Sequence, residues 1–505
     1  MMIKYYPGRV ITLSALVMLT TSCSLMPDYK APIIAKVDQY SHIAEPKKIA
    51  EPSEIGDNQL NNEQTILYNN KLSAKWWRLF NSEQLNTLIR QALKANPELS
   101  AAKAAIEQAK ANYRAQGSLD LPTVDLNAGI SRQKFSGASV GIPDAPASTL
   151  TLHNASLDVS YNLDLFDKNK NTQLLAKNQL NQQQWQYKAT YIMLTANVVN
   201  QYIQLAALDD ELVQGKKLQE IEQTHLLLLT EDEQLGGSSK TRVLAQKNNL
   251  LNAKKIVYNI QKQRDFIHHQ LAILMGIIPA QLNINSPMFE QLPLNKATLD
   301  NLTLPTNLPL SLPSQLVQQR PDIQLAENLI KTRYAELDIA TADQFPQLTL
   351  SASYGTLSPD FSDLFTPASI IWNAAAGLTQ PLFNGGKLKQ QKKGAQAALE
   401  QANGLYQQAV LLAFKEVADS LRALNYNAQA HSETIKMMQT SESLLALTEQ
   451  EKALGVLSYL QSLETKKRYH QAKIQQIQAQ AIQLTDTVVL FQTLGGGWWN
   501  QEEKL

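Results

Sequence analysis

The sequence predicts a mainly α-helical chain with a small β part, built twice from one plan around very long helices. Three observations carry that expectation: where the prolines fall, two blocks that repeat in the same order, and four segments that alternate apolar and polar residues. None of the 20 prolines lies between Ala147 and Ile278, and none follows Pro381. Proline removes a backbone donor and clashes with the preceding turn, so these two tracts are free to form long helices. Apolar spacing agrees. Tyr191, Leu194, Val198, Tyr202, Leu205, Leu208 and Leu212 recur every three or four residues. Val410, Phe414, Val417, Leu421 and Leu424 alternate steps of four and three, a coiled-coil stripe.

The repeat is visible in "NPELSAAKAAIEQAKANYRAQGSLDLPTVDLNA" (96–128) and "RPDIQLAENLIKTRYAELDIATADQFPQLTLSA" (320–352). Pro97 matches Pro321 and Pro122 matches Pro346 at one offset of 224, with Ala102/Ala326, Ile106/Ile330, Ala111/Ala335, Leu126/Leu350 and Ala128/Ala352 in register. A second block follows: Gly236 and Gly276 are 40 apart, as are Gly455 and Gly495, with Leu244/Leu463, Lys254/Lys473 and Leu271/Leu490 between them. Two aligned blocks in the same order argue for duplication of a helix–strand–strand–long-helix–helix unit.

The alternating segments are 122–130, 156–166, 345–354 and, less cleanly, 372–383. In the second, Leu157, Val159, Tyr161, Leu163 and Leu165 alternate with Asp158, Ser160, Asn162 and Asp164. Each segment is about ten residues, the length a tilted strand needs to cross a bilayer. Periodicity alone fits a soluble sheet with one wet face equally well. Four strands cannot close a barrel and lipid tolerates no open edge, so a membrane placement requires several protomers to share one barrel.

The N-terminus bears on location. Lys4 and Arg9 precede an apolar run, Val10 to Leu19, which is too short for a bilayer-spanning helix and reads as a signal-peptide core. Thr20, Thr21 and Ser22 lead into Cys23, the only cysteine. The pattern resembles a bacterial lipobox, although an aliphatic residue is usual where Thr20 stands, and Ser24 after the cysteine resembles outer-membrane sorting. An ordinary signal peptide with an incidental cysteine is the alternative. An intramolecular disulfide is excluded.

Composition narrows the classes. Net charge is +1, so nothing electrostatic favours nucleic acid. The seven histidines show no metal-ligand spacing, and no phosphate-cradling loop or serine elbow is present, so catalysis, a metal and a cofactor are all unexpected. No later apolar run is long enough for a transmembrane helix.

Taken together, "CSLMPDYKAP", "WWRLFNSEQLNTLIRQALKANPELSAAKAAIEQAKA", "LPTVDL", "LDLF", "RPDIQLAE", "QPLFNGGKL" and "LGGGW" resemble the outer-membrane efflux ducts of the TolC/OprM/NodT family, in its lipoprotein branch. They span nearly the whole mature chain in the family's order. The resemblance implies a homotrimer: a transmembrane β-barrel shared by three subunits, four strands each, above a long α-helical coiled-coil barrel of 12 helices. It implies long helices over 167–235 and 384–454, reaching about 100 Å into the periplasm. The segments then divide as signal peptide 1–22, N-terminal equatorial segment 23–75, first repeat 76–278, equatorial linker 279–320, second repeat 321–494 and equatorial tail 495–505. Lipidation falls on Cys23, beside outer-membrane lipid. Partners implied are a periplasmic adaptor and an inner-membrane pump, of RND type.

By position, the family's adaptor-docking tips correspond to Leu235, Gly236, Leu454 and Gly455, although glycine at a helix end also needs no reason beyond helix termination. Some relatives carry two pore aspartates six and nine residues beyond the second tip glycine. Here those positions are Gln461 and Glu464, and Arg242 stands six residues beyond Gly236. A periplasmic gate is therefore expected from Glu464 with Arg242 or Lys240 of a neighbouring hairpin; ordinary solvated surface charge is the competing reading. Asp158 and Asp164 are expected to line the barrel lumen. The function implied is the exit duct of a tripartite pump exporting small molecules such as drugs. The alternatives are the duct of a type I protein secretion system, with the same fold, and a periplasmic coiled-coil adaptor lipoprotein. The adaptor would carry one hairpin between β segments rather than this duplicated plan.

Overall fold

A computed structural model describes residues 40, 48–49, 64–68, 70, 72–136, 146–281, 297–311 and 313–500. The signal segment 1–22, Cys23, most of the 23–75 segment, part of the linker (282–296) and the end of the tail lie outside the described residues. The chain divides into two compact units. The first takes in residues 105–184 and 326–406; the second takes in 34–104, 185–325 and 407–505.

In chain order the elements are β1 (Lys48–Ile49), β2 (Gln64–Tyr68), α1 (Glu83–Ala95), α2 (Pro97–Gly117), β3 (Thr123–Phe135) and β4 (Ser148–Leu163). Then come α3 (Lys168–Gln234), α4 (Lys240–Leu274), β5 (Asn307–Leu310), α5 (Pro313–Gln319) and α6 (Pro321–Ala342). The last are β6 (Gln347–Ser358), β7 (Ile370–Thr379), α7 (Lys387–Ala453) and α8 (Tyr459–Thr493).

The duplication is written into these lengths. α3 and α7 are 67 residues each, α4 and α8 are 35 each. Both long helices extend for about 100 Å at 1.5 Å per residue. The stripe residues Leu194, Val198, Tyr202 and Leu205 of α3 and Val410, Val417, Leu421 and Leu424 of α7 are buried, which is why these polar-rich sequences hold as helices. Both return helices start on a serine cap: Ser239 accepts from the Arg242 amide, and Ser458 forms a reciprocal capping box with Gln461.

In the first unit β3, β4, β6 and β7 form one antiparallel sheet in that order. Three strands are longer than the alternation predicts: β4 begins at Ser148 and pairs with β3 out to Phe135, and β6 runs on to Ser358, opposite His153 of β4. β7 stops at Thr379, two residues before Pro381, which has no amide to donate. In the second unit, β1 pairs antiparallel and β5 parallel with β2. The segment expected as a linker thus contributes β5 and α5. Buried Trp76 meets Phe80 and Phe491 edge to tilted, closing the core around the end of α8.

Candidate functional site

Two surfaces carry the chemistry. The first is the sheet, whose register sorts its faces. One face carries Val124, Leu126, Ala128 and Ile130 of β3, opposite Val159, Leu157, Ala155 and His153 of β4. The same rows continue through Ala352 and Tyr354 of β6 to Ala374 and Trp372 of β7. Leu126, Ile130, Leu157, Tyr354 and Trp372 are all exposed among the described residues, so this is a broad, largely uncovered apolar face. The other face is polar. Its central row runs Asp125, Asp158, Ser353, Asn373, flanked by Asn127, Ser156, Ser160 and Ser351.

Asp158 therefore stands on the polar face, where its carboxylate accepts from Asn127 Nδ2 at 2.6 Å and Ser156 Oγ at 3.0 Å. Asp125, directly across from it on β3, is a second acid of that row, which the sequence reading did not single out. The alternation around "PTVDLNAGI" held the signal, since Asp125 occupies a polar position there. Asp164 is different. β4 ends at Leu163, and the Asp164 carboxylate instead accepts the Lys170 backbone amide at 2.9 Å. It satisfies a free donor in the first turn of α3, a helix-start role rather than a place on the strand.

The second surface is the pair of hairpin tips. At the first, the Gly236 amide donates to Glu233 O and the Gly237 amide to Asp232 O. At the second, Gly455 donates to Lys452 O and Val456 to Glu451 O. Both are Schellman endings, and φ is +82° at Gly236 and +77° at Gly455, a region open to glycine. The tips project apolar side chains: Leu235 is 86% exposed and Leu454 79%, with Val456 exposed beside them.

Just behind the tips the structure distributes the expected gate residues. Gln461 is committed to the capping box of α8, its Oε1 accepting from the Ser458 amide at 3.0 Å. Glu464 lies 3.5 Å from His225 Nδ1 on α3 of the same chain. Arg242 sits in the first turn of α4, and nearby Lys240 lies 3.7 Å from Glu233. Within one chain, then, the partner of Glu464 is His225, which sequence spacing did not reveal because the two are on different repeats. The second hairpin is further tied by Glu449, which accepts from Lys452 at 2.7 Å and from the Ser462 hydroxyl and lies 3.3 Å from Lys466. These bonds, that from Lys452 foremost, hold the Glu449 carboxyl down at about 2.

Among the described residues no group of three or more His, Cys, Asp or Glu is placed to hold a metal ion, and no helix is long and apolar enough to cross a membrane.

Two helices of about 100 Å, each with its return helix, and a two-faced antiparallel sheet whose strands are of membrane-spanning length are features suited to a subunit of a membrane channel. Comparison with known proteins fixes which class. The family model described as "Outer membrane efflux protein" matches residues 88–277 and 312–496. The chain is 30% identical over 434 residues to the pyoverdine export outer membrane protein OpmQ of Pseudomonas putida, covering 84% of this chain and 88% of that one. It is 25% identical over 494 residues to the probable outer membrane lipoprotein SilC of Salmonella typhimurium, covering 97% and 99%. Its fold matches the outer-membrane channel OprN with a TM-score of 0.79 at 22% identity, over 94% of this chain and all of that one. The chain belongs to the outer membrane efflux protein family, a family of transport proteins rather than enzymes, and it is an efflux channel of the outer membrane.

Proposed function

We propose that three copies of this chain assemble into the exit duct of a tripartite efflux pump, sharing one 12-stranded barrel and releasing small molecules to the exterior. The observation that carries the reading is the sheet. It has an exposed apolar face suited to outer-membrane lipid, a polar face suited to a water-filled lumen, and two unpaired edges at β3 and β7. Such edges are tolerated in lipid only when other strands close them. Asp158 and Asp125 then stand on the lumen side, where rings of acid favour cations.

The tips at Leu235, Gly236, Leu454 and Gly455 meet a periplasmic adaptor, and an inner-membrane pump of RND type supplies the energy. Arg242, Gln461 and Glu464 lie within the first turns behind those tips, positioned for a constriction at the same end. Cys23 carries the lipid, after removal of residues 1–22. The test is the native mass of the mature protein in detergent, by light scattering with the detergent subtracted, together with conductance in a planar bilayer. A trimer with large, cation-preferring conductance supports the duct. A folded monomer without conductance overturns it.

A further inference from the structure

The apolar face of the sheet ends in cations. Along β3 the face that bears Val124, Leu126, Ala128 and Ile130 continues with Arg132 and Lys134, because pairing with β4 runs unbroken from Thr123 to Phe135 and side chains alternate. Opposite Arg132 is Thr151, and opposite Lys134 is Thr149, on the same face of β4. At these levels the apolar residues of β4, Leu150 and Leu152, have moved to the other face, so the lipid-facing pattern stops here. Arg132 and Lys134 are exposed, and none of these four side chains hydrogen-bonds or ion-pairs with another described residue.

Height decides what this patch can meet. The helices attach at the opposite end of the sheet: α2 leads into β3, β4 into α3, α6 into β6 and β7 into α7. The β3–β4 connection therefore lies at the end away from the helices, the outer side of the membrane in the duct reading. At about 3.3 Å per residue, Arg132 is about 26 Å and Lys134 about 33 Å along the strand from Val124. A tilt of about 40° makes these heights about 20 and 25 Å, and the apolar band of an outer-membrane barrel is about 25 Å tall. A charge on the lipid face is costly at mid-membrane and nearly free at the boundary, where long cationic side chains reach the headgroups. The patch thus stands at the level of lipid phosphates rather than among the acyl chains.

We propose that Arg132 and Lys134, with the hydroxyls of Thr149 and Thr151, bind the terminal phosphate of an outer-leaflet glycolipid. Two residues apart on one strand face, the cations are about 7 Å apart at their bases, and their cross-strand threonines lie about 5 Å away. A phosphate fits between a guanidinium fork and an ammonium, with hydroxyl donors from the neighbouring strand. A phosphate monoester carries up to two charges and three acceptor oxygens, enough to engage both cations and the hydroxyls. The phosphodiester of a glycerophospholipid has one charge and two free oxygens, and leaves part of this cradle unmatched. The acyl chains of the same glycolipid then lie along Ile130, Ala128 and Leu126, continuous with the apolar face. This site rests on the duct reading for the side of the membrane that it faces, and adds the class of lipid that it holds.

The experiment uses the full mature protein in detergent and native mass spectrometry, which counts the lipids retained per assembly at one lipid concentration. The probes are diphosphoryl lipid A, the same lipid without its phosphates, and phosphatidylglycerol. The parent protein should retain lipid A better than either of the others. The double variant Arg132→Gln with Lys134→Gln should lose about tenfold of that retention, a few-fold for each cation. Arg132→Lys, which keeps the charge, should lose less, and Lys255→Gln with Lys262→Gln, two cations of α4, should lose nothing. If the double variant does not assemble, the two single glutamine variants carry the same comparison. A double variant that retains lipid A as the parent does, or a parent that holds phosphatidylglycerol equally well, overturns the site. In both cases a native mass of three copies with conductance leaves the duct standing. A monomeric native mass of the parent overturns both.

Discussion

The two helical hairpins share a backbone and differ in chemistry. Their helices have the same lengths, 67 and 35 residues, and the same hydrogen-bonded endings. Arg264 of α4 and Gln483 of α8 occupy equivalent positions, yet Arg264 Nε donates to Asp209 at 2.5 Å while Gln483 Oε1 meets His431 Nδ1 at 2.6 Å. At this level of the helices one hairpin is bridged by an ion pair and the other by a neutral pair. Duplication has kept the residues that set backbone course, the terminal glycines and capping serines. Between them side chains were free to change, and each hairpin keeps a different hydrogen-bonded bridge at this level.

The largest test of that view lies where the return helices end. Gly276 and Gly495 both have positive φ, +68° and +90°, and each faces the carbonyl before a proline-started helix: Ala95 O for Gly276, Gln319 O for Gly495. A methyl group on Gly276 would lie 2.2 Å from Ala95 O, whereas one on Gly495 would lie 3.2 Å from Gln319 O. The left-handed backbone costs about 1–2 kcal/mol in both, and forcing the carbonyl aside adds about 1–3 kcal/mol at Gly276. Gly276→Ala should therefore lower the thermal unfolding midpoint much more than Gly495→Ala. Equal shifts would mean that the two endings are interchangeable despite their different clearances.

The bridges come next. Asp209 and Arg264 are partly buried, with 15% and 27% of their side chains exposed. Arg264→Ala leaves the carboxylate desolvated without its partner; complete burial would cost about 3–5 kcal/mol, and partial exposure reduces this to about 2–3 kcal/mol. Gln483→Ala removes one neutral hydrogen bond and should cost about 1–2 kcal/mol. Denaturant midpoints of the two variants measure the difference, and a larger loss at Gln483 would mean that the neutral bridge holds its hairpin more strongly than the ion pair holds the other.

How much of this was legible beforehand follows from the range of each interaction. Helix extents were readable because proline and 3.6-residue periodicity act locally. The structure starts and stops α3 and α7 within a few residues of 167–235 and 384–454. The strand faces were readable for the same reason, since alternation alone put Asp158 on the polar side. Pairings across the chain were not. The Asp125–Asp158 juxtaposition depends on register, the His225–Glu464 contact joins residues 239 apart, and Asp164 looked like the next polar strand position until the helix start claimed its carboxylate. The Gln461 capping box was the opposite case. Ser458-x-x-Gln461 is a local signature of a helix start, legible in the sequence whatever position Gln461 holds in the family's pore.

The smallest effect separates the hairpins by pH. Burial holds the His431 imidazole below its ordinary range, against the opposing effect of its bond to Gln483. Protonation is thus easier in the unfolded chain, so the contribution of His431 is complete above about pH 6.5 and is lost as pH falls toward the lower folded value. Burial likewise lowers His268 on α4 of the first hairpin. Asp209 behaves in the opposite sense: burial raises its carboxyl despite Arg264, so its protonation on acidification favours the folded state rather than opposing it. Between pH 7 and 5.5, amide exchange should quicken around His431 and Gln483 in the second hairpin and around His268 in the first. His431→Gln, which cannot titrate, should abolish the first of these changes and leave the second. If the acid response around Gln483 survives that substitution, the His431 imidazole is not its source, and His470, on the same helix as Gln483 and also lowered by burial, is the next group to replace.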